Sequence, residues 1–194
     1  AAVGSAMPIL NLLLSLFVGI STGAGIVVSQ AFGARDRSGL SKAIGNCITL
    51  AAIASVVIMV LGTLITRPML QLLGTPDSIM EWCASYLTIS FLGIVGSFYY
   101  NMLSGVLRGM GDSVSSLGFL LLAAALNVVL DLVFVGALGL GVPGVAYATV
   151  IAQAISAFFC FRKIMKMNEY FDLNKSTVKL ASNVAMRIIK IGVP

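Results

Sequence analysis

Leu117–Leu138 reads LGFLLLAAALNVVLDLVFVGAL, an apolar run interrupted by one amide, Asn127, and one charge, Asp131. A helix of about 20 such residues crosses the ~30 Å hydrocarbon core of a bilayer. A soluble amphipathic helix of this length would show a polar face; this stretch has none. Four further segments read the same way: Pro8–Phe32, Ile44–Ile65, Cys83–Leu107 and Val142–Phe161. The expected fold is therefore all-α, a polytopic transmembrane bundle with about five spans.

Composition agrees with this reading. The chain has 194 residues, of which 59% are hydrophobic and 10% charged, and it contains no His. Its mean hydropathy is +1.04. Soluble domains carry roughly 25% charge, and one of this size could not hide so much apolar surface. The basic residues show no aromatic-interleaved or groove-reading pattern, so no nucleic-acid partner is expected. Cys47, Cys83 and Cys160 lack metal-ligand or CxxC spacing and read as small buried hydrophobes. The chain starts inside an apolar segment, with no basic leader or cleavage site, and Ile188–Pro194 begins another apolar run. It is expected to be a fragment, cut at both ends.

Breakers punctuate the segments: Gly33 to Asp36, Arg67-Pro68, Gly74 to Asp77, Arg108 to Asp112, and Gly139 to Gly144. All 12 Lys and Arg fall outside the five segments. The first and third loops and the tail after the fifth segment hold Arg35, Arg37, Lys42, Arg108, Arg162, Lys163 and the basic residues beyond, leaving only Arg67 on the opposite side. The positive-inside rule then places those stretches in the cytoplasm. Residues 1–165 are expected to form the spans. Residues 166–194 are expected to be a cytoplasmic linker with an amphipathic helix over Val178–Ile191 that leads to a further span.

Two motif matches fail on chemistry. Gly19-Ile20-Ser21-Thr22-Gly23 fits G-x-S-x-G, but no His is present to take the serine proton. The same glycines fit small-xxx-small helix packing. Gly139 to Gly144 fits G-x-G-x-x-G, yet membrane-length runs flank it and the next acidic residue is Glu169. A turn is expected there. Nothing points to an enzyme.

The candidate functional residues are few. Six of seven acidic residues lie in loops, segment ends or the tail; Asp131 alone sits within a span. A charge at the bilayer centre costs at least ~2.5 kcal/mol by insertion scales, so such residues mark cavities, pathways or relays. Asn127 precedes Asp131 by four residues and shares its helix face; it reads as a ligand or as helix–helix glue. Asp131 and Thr149 flank the turn near Leu140 at equal sequence distance, which puts both at the same depth. Thr149 reads as a partner of Asp131 or as a hydroxyl bonded to its own helix. Tyr86 reads as an aromatic-belt or pocket residue. Asn11, Ser15, Gly19, Thr22 and Ser29 form a stripe on the first segment, and close packing is the favoured reading over transport lining.

Together these features resemble the MATE family of multidrug and toxic-compound exporters. The stretches that carry the resemblance are Ser29-Gln30-Ala31-Phe32-Gly33-Ala34-Arg35-Asp36, Leu107-Arg108-Gly109-Met110-Gly111-Asp112, and Asn127 to Asp131 followed by Gly141 to Thr149. The resemblance implies two lobes of six helices. This chain would supply helices two to six of the first lobe, the linker and the start of the second. It implies that Asp131 and Asn127 are the cation-site carboxylate and its amide partner, Thr149 a hydroxyl of the same site, and Tyr86 a residue near the first-lobe pocket. It further implies export of organic, cationic compounds against H⁺ or Na⁺, with Na⁺ held by Asp131, Asn127 and Thr149 if Na⁺ is the ion. No cofactor is expected beyond that coupling ion. Membrane lipid and a small organic substrate are the expected partners, the carrier is expected to be monomeric, and the bacterial or archaeal plasma membrane is the expected location. The nearest alternative is a flippase for lipid-linked sugars, which would need cationic residues in its cavity. A membrane-embedded hydrolase or a scaffold subunit are the readings from other classes.

Overall fold

A computed structural model describes residues 2–192, with side chains at 11, 12 and 15–192. Residues 193 and 194, where the expected further span continues, lie outside the described residues. Seven α-helices follow in order: α1 (Ala2–Gly33), α2 (Arg37–Leu72), α3 (Asp77–Leu92), α4 (Ile94–Gly109), α5 (Ser113–Asp131), α6 (Gly141–Lys166) and α7 (Ser182–Gly192). No strand occurs among the described residues. The fold is the expected all-α transmembrane bundle, with four single helices long and apolar enough to cross a bilayer and α3–α4 as a bent fifth.

The helix ends follow from local chemistry. Arg35 takes a left-handed conformation (φ 54°) after α1. The Asp36 carboxylate then accepts from the Gly39 N–H at 2.9 Å and caps α2. Asp112 caps α5 in the same way, accepting from the Ser115 N–H at 3.0 Å and its hydroxyl at 2.8 Å. Lys163 reaches the same carboxylate at 3.2 Å. Gly111 (φ 84°) makes the turn before this cap, and Gly139 and Gly141 (φ 64° and 60°) make the turn before α6. The G-x-G-x-x-G match is thus a turn.

Three expectations are corrected. The third segment, read as one span over Cys83–Leu107, is two helices that meet at Gly93 with a 49° bend. A side chain at Gly93 would run into Val150 of α6, so the bend lets both halves lie against α6. Arg67-Pro68 does not end the second segment. Pro68 lies inside α2, whose 36 residues extend to about 54 Å at 1.5 Å per residue, well beyond the hydrocarbon core. Near this helix end a lost carbonyl partner can find water. Arg67, about a turn and a half from the end, pairs with Glu81 of α3 at 2.8 Å. Finally, Gly109 is not part of the turn. It lies in α4 against α1, where a side chain would meet the Gly25 carbonyl at 2.5 Å and Val28 at 3.0 Å.

α1 and α4 form the spine. Gly25, Gly105 and Gly109 bring their backbones together, and Phe17 meets Phe98 edge to face at 4.6 Å. Ile44, Leu87, Leu103 and Leu107 fill the core around them. α6 packs on α4 and α5. The outer faces of α2 (Ile53, Val57, Leu61, Leu64) and α5 (Leu117, Leu121, Val128) are apolar and exposed, as lipid-facing surfaces are. All three cysteines are buried.

The segment after α6 is laid along α2. Arg37 holds Asp172 with two bonds (2.8 and 3.0 Å) and donates to the Glu169 carbonyl at 2.6 Å. One turn on, the Ser41 hydroxyl accepts from the Asp172 N–H at 2.8 Å. Gly45 admits the Thr177 carbonyl, and Thr49 donates to the Val178 carbonyl at 2.5 Å. Asn46 accepts from the Ala181 N–H at 2.7 Å. These contacts follow the i, i+4 ladder of one helix face. α7 then packs on α1, where Gly19 and Gly23 sit against the backbone of Ile188 and Gly192. The small-xxx-small reading of Gly19 and Gly23 therefore holds. The rest of the proposed packing stripe does not. Asn11, Ser15, Thr22 and Ser29 are exposed, and the three hydroxyls bond to their own helix.

Candidate functional site: the polar face between α5 and α6

α5 and α6 run antiparallel from the Gly139–Gly141 turn, so polar residues on their facing sides meet. Asn127 Nδ2 donates to Thr149 Oγ1 at 3.1 Å. The Thr149 hydroxyl also donates to the Val145 carbonyl of its own helix at 3.1 Å. Both readings of Thr149 are therefore realised at once: back-bonded, with its lone pairs turned to Asn127. Asp131 lies one turn beyond Asn127, and its Oδ1 is buried without a hydrogen-bond partner in the chain. The expected equal depth of Asp131 and Thr149 is off by one turn, because Thr149 stands opposite Asn127.

After Asp131 the helix widens into a π-helical turn over Leu132–Ala137. Such turns inside longer helices gather at functional sites. Tyr86, on α3, is 7% exposed, so it is a bundle residue and not a belt residue. The structure bonds Asn127 to Thr149 directly, sets Asp131 one turn beyond Asn127, and carries Tyr86 on α3, which packs on α6. One carboxylate, one amide and two hydroxyls can bind a single monovalent cation, or a proton and its hydrogen bonds. No group of three or more His, Cys, Asp or Glu suited to a metal ion occurs among the described residues.

Sequence reasoning passed over Gln153 and Ser156. Both carry a buried side-chain oxygen without a partner. The signal was their spacing from Thr149, at i+4 and i+7 on one helix face. Two surface hollows, of about 520 and 440 Å³, open at the end of the bundle that carries Arg35, Arg37 and Lys42. Neither is lined by Asp131, Asn127, Thr149 or Tyr86.

A carboxylate between two facing spans of a helical membrane bundle is a functional-site signature. Comparison with known proteins names the family: the MatE family model matches residues 1–133, and the chain belongs to that family. It is 30% identical over its whole length to the "Probable multidrug resistance protein YoeA" of Bacillus subtilis, covering 43% of that protein. It is 27% identical over its whole length to the "Multidrug export protein MepA" of Staphylococcus aureus, again covering 43%. Among solved structures it superposes on a multidrug resistance MATE family transporter of the MOP superfamily. The TM-score is 0.93 in the inward-facing form and 0.92 in the outward-facing form. Identity is 26%, with all of this chain covered and 44% and 43% of those chains. The chain therefore spans less than half the length of the relatives it matches.

Proposed function

We propose that this chain forms most of the first lobe of a two-lobe carrier that exports organic, cationic compounds in exchange for H⁺ or Na⁺. Asp131 is the coupling carboxylate of this lobe, with Asn127, Thr149 and Tyr86 around it. The observation that carries the reading is the orphaned Asp131 Oδ1. A buried acceptor without a partner costs about 1–3 kcal/mol, more when charged. A site that takes up a cation or proton in its cycle removes that cost when loaded. The names of the relatives speak for multidrug export. The chain fits inward-facing and outward-facing relatives equally well. That supports a lobe that moves as one body while access alternates around the site. No cation lines the α5–α6 face near Asp131, which favours a cationic cargo over the phosphate of a lipid-linked sugar.

In this reading the carrier is a multi-pass protein of the bacterial or archaeal plasma membrane. The loops at Arg37 and Arg108 and the segment from 166 onward face the cytoplasm. The test is substrate efflux from proteoliposomes holding the whole carrier, under an imposed H⁺ or Na⁺ gradient. Asp131→Asn keeps the shape and removes the charge; it should insert normally and lose ion-driven efflux. Asn127→Ala and Thr149→Ala should give smaller losses. Wild-type efflux from Asp131→Asn under both gradients would overturn the assignment.

A further inference from the structure

Four side-chain oxygens are buried without a hydrogen-bond partner among the described residues, and three lie on α6 or beside it: Asp131 Oδ1, Gln153 Oε1 and Ser156 Oγ. Gln153 and Ser156 continue the face of Thr149 at helical spacing, and Cys160 follows. Along this face the surroundings close in. Thr149 is exposed, Gln153 is half-buried, and Ser156 and Cys160 are fully buried.

Three cross-helix contacts fix the register of α5 against α6: Asn127 with Thr149, the stacked rings of Phe119 and Phe159, and Asp112 with Lys163. At that register the small residues Ala123 to Ala125 stand opposite Gln153, and Ser116 stands opposite Cys160. The polar groups continue from there. Ser116 Oγ is 2.6 Å from Ser104 Oγ of α4. Arg108 donates to both, at 3.2 and 2.9 Å, and to Ser21 of α1 at 3.3 Å. Ser21 in turn bonds the Asn101 carbonyl. No carboxylate pairs with Arg108 among the described residues. One cation is thus clamped by hydroxyls from three helices.

Orphaned oxygens are costly, and leucine or alanine at 153 and 156 would pack a lipid-soluble bundle at no such cost. Successive polar groups on α6 are three or four residues apart, about 4.5–6 Å along the axis. One bridging water with two ~2.8 Å bonds closes such a gap.

We propose that this face of α6 is a buried hydrated track from the Asp131–Thr149 site to the basic end of the bundle, and that Arg108 is its stopper. The proposal rests on the reading of the chain as part of an ion-coupled carrier, in which ions must not cross unaccompanied. A fixed positive charge at the mouth of a polar passage bars protons and other cations electrostatically, and Arg108 is exposed at that end. Arg108 supplies that charge, and its hydroxyl partners hold it in place.

The experiment uses the whole carrier in proteoliposomes with a pH-sensitive dye inside, a pH step across the membrane, and no drug. The rate at which the step collapses is read. Arg108→Gln removes the charge and keeps hydrogen-bonding capacity. It should speed the collapse about tenfold, equivalent to ~1.4 kcal/mol off the barrier. Adding Ser156→Val, which removes a buried hydroxyl of the track, should return the rate to wild type. Should Arg108→Gln fail to assemble, Ser116→Ala loosens the same clamp and should raise the leak in the same direction by less. Membranes that stay as tight as wild type with both variants overturn the proposal, as does a leak that Ser156→Val does not stop. Because no drug is present, the outcome is separate from the efflux test. Efflux lost in Asp131→Asn with no leak in Arg108→Gln leaves the carrier reading standing and removes the track. A leak stopped by Ser156→Val with efflux intact in Asp131→Asn keeps the track and removes Asp131 as the coupling carboxylate.

Discussion

Replacing Gly105 by alanine tests the spine of the bundle. A side chain there would collide with the Ser21 carbonyl and hydroxyl, both on the α1 helix. The obstacle is backbone, which cannot rotate away as a long side chain can. α1 and α4 must therefore separate, and the neighbouring contacts at Gly25 and Gly109 must open with them. Overpacking of this kind costs typically about 1–3 kcal/mol. Loosening the Ser21–Asn101 and Ser21–Arg108 bonds adds about 0.5–1.5 kcal/mol each. The structure contains its own control. Gly118 lies within α5 with nothing within 4 Å of the position a side chain would take. Gly118→Ala should be neutral or stabilising by up to ~1 kcal/mol through helix propensity. The measurement is the thermal midpoint of monodisperse protein in mild detergent, read by size-exclusion after heating. Gly105→Ala should fall clearly below wild type, with Gly118→Ala at or above it. If the two variants melt together, the close α1–α4 approach is not what holds this bundle, and the argument from backbone contact fails.

Other outcomes follow from the loops. Single-cysteine labelling in a Cys-free carrier should find positions 37, 108 and 162 shielded from an impermeant reagent in intact cells, and positions 77 and 141 open; labelling at 37 would sink the proposed orientation. Gly111→Val and Asp112→Ala should lower the yield of folded protein more than the activity per molecule, and normal yield with lost transport would assign that turn a gating role instead. Burial pushes the Asp112 carboxyl up, but the Ser115 backbone and hydroxyl bonds and Lys163 outweigh it and hold the group below the usual carboxylate range. The cap's contribution is therefore complete at neutral pH and lost only as pH falls through that lowered value; Lys163→Gln should move its loss to higher pH in an acid-unfolding series. Arg37 likewise holds Asp172 below its ordinary range through a side-chain hydrogen bond, so Arg37→Ala should expose residues 168–181 to protease and to hydrogen exchange at neutral pH, whereas equal protection in wild type and variant would show that the ladder on α2 carries no weight.

The spans were legible because lipid imposes one rule on long apolar runs, and the charges at their ends made the count checkable. Asp131 stood out for the same reason, as the one charge where lipid disfavours charge. The bend at Gly93 was hidden because its cause lies in another helix, at Val150. The pairing of Thr149 with Asn127 instead of Asp131 was missed by one turn, because the π-helical turn after Asp131 takes up residues that an even α-helix would count as rise. Gln153 and Ser156 were passed over because a single amide or hydroxyl in a span usually finds a local carbonyl; only packing shows that these two do not. The run of contacts from Arg37 to Thr49 was invisible, since its partners are mostly backbone groups of the linker.

That run of contacts decides how much slack the linker has. A free chain as long as residues 167–181 would hold its ends about 20 Å apart on average and behave as a loose tether. Stitched to α2 from Arg37 to Thr49, it has no play to give. Any swing of a second body relative to this one is then taken up past Ala181. There Gly19 and Gly23 leave only backbone between α1 and the Ile188–Gly192 turn of α7. Such a contact has no side chains to unlock, and under the proposed function it would serve as a bearing on which a second lobe turns.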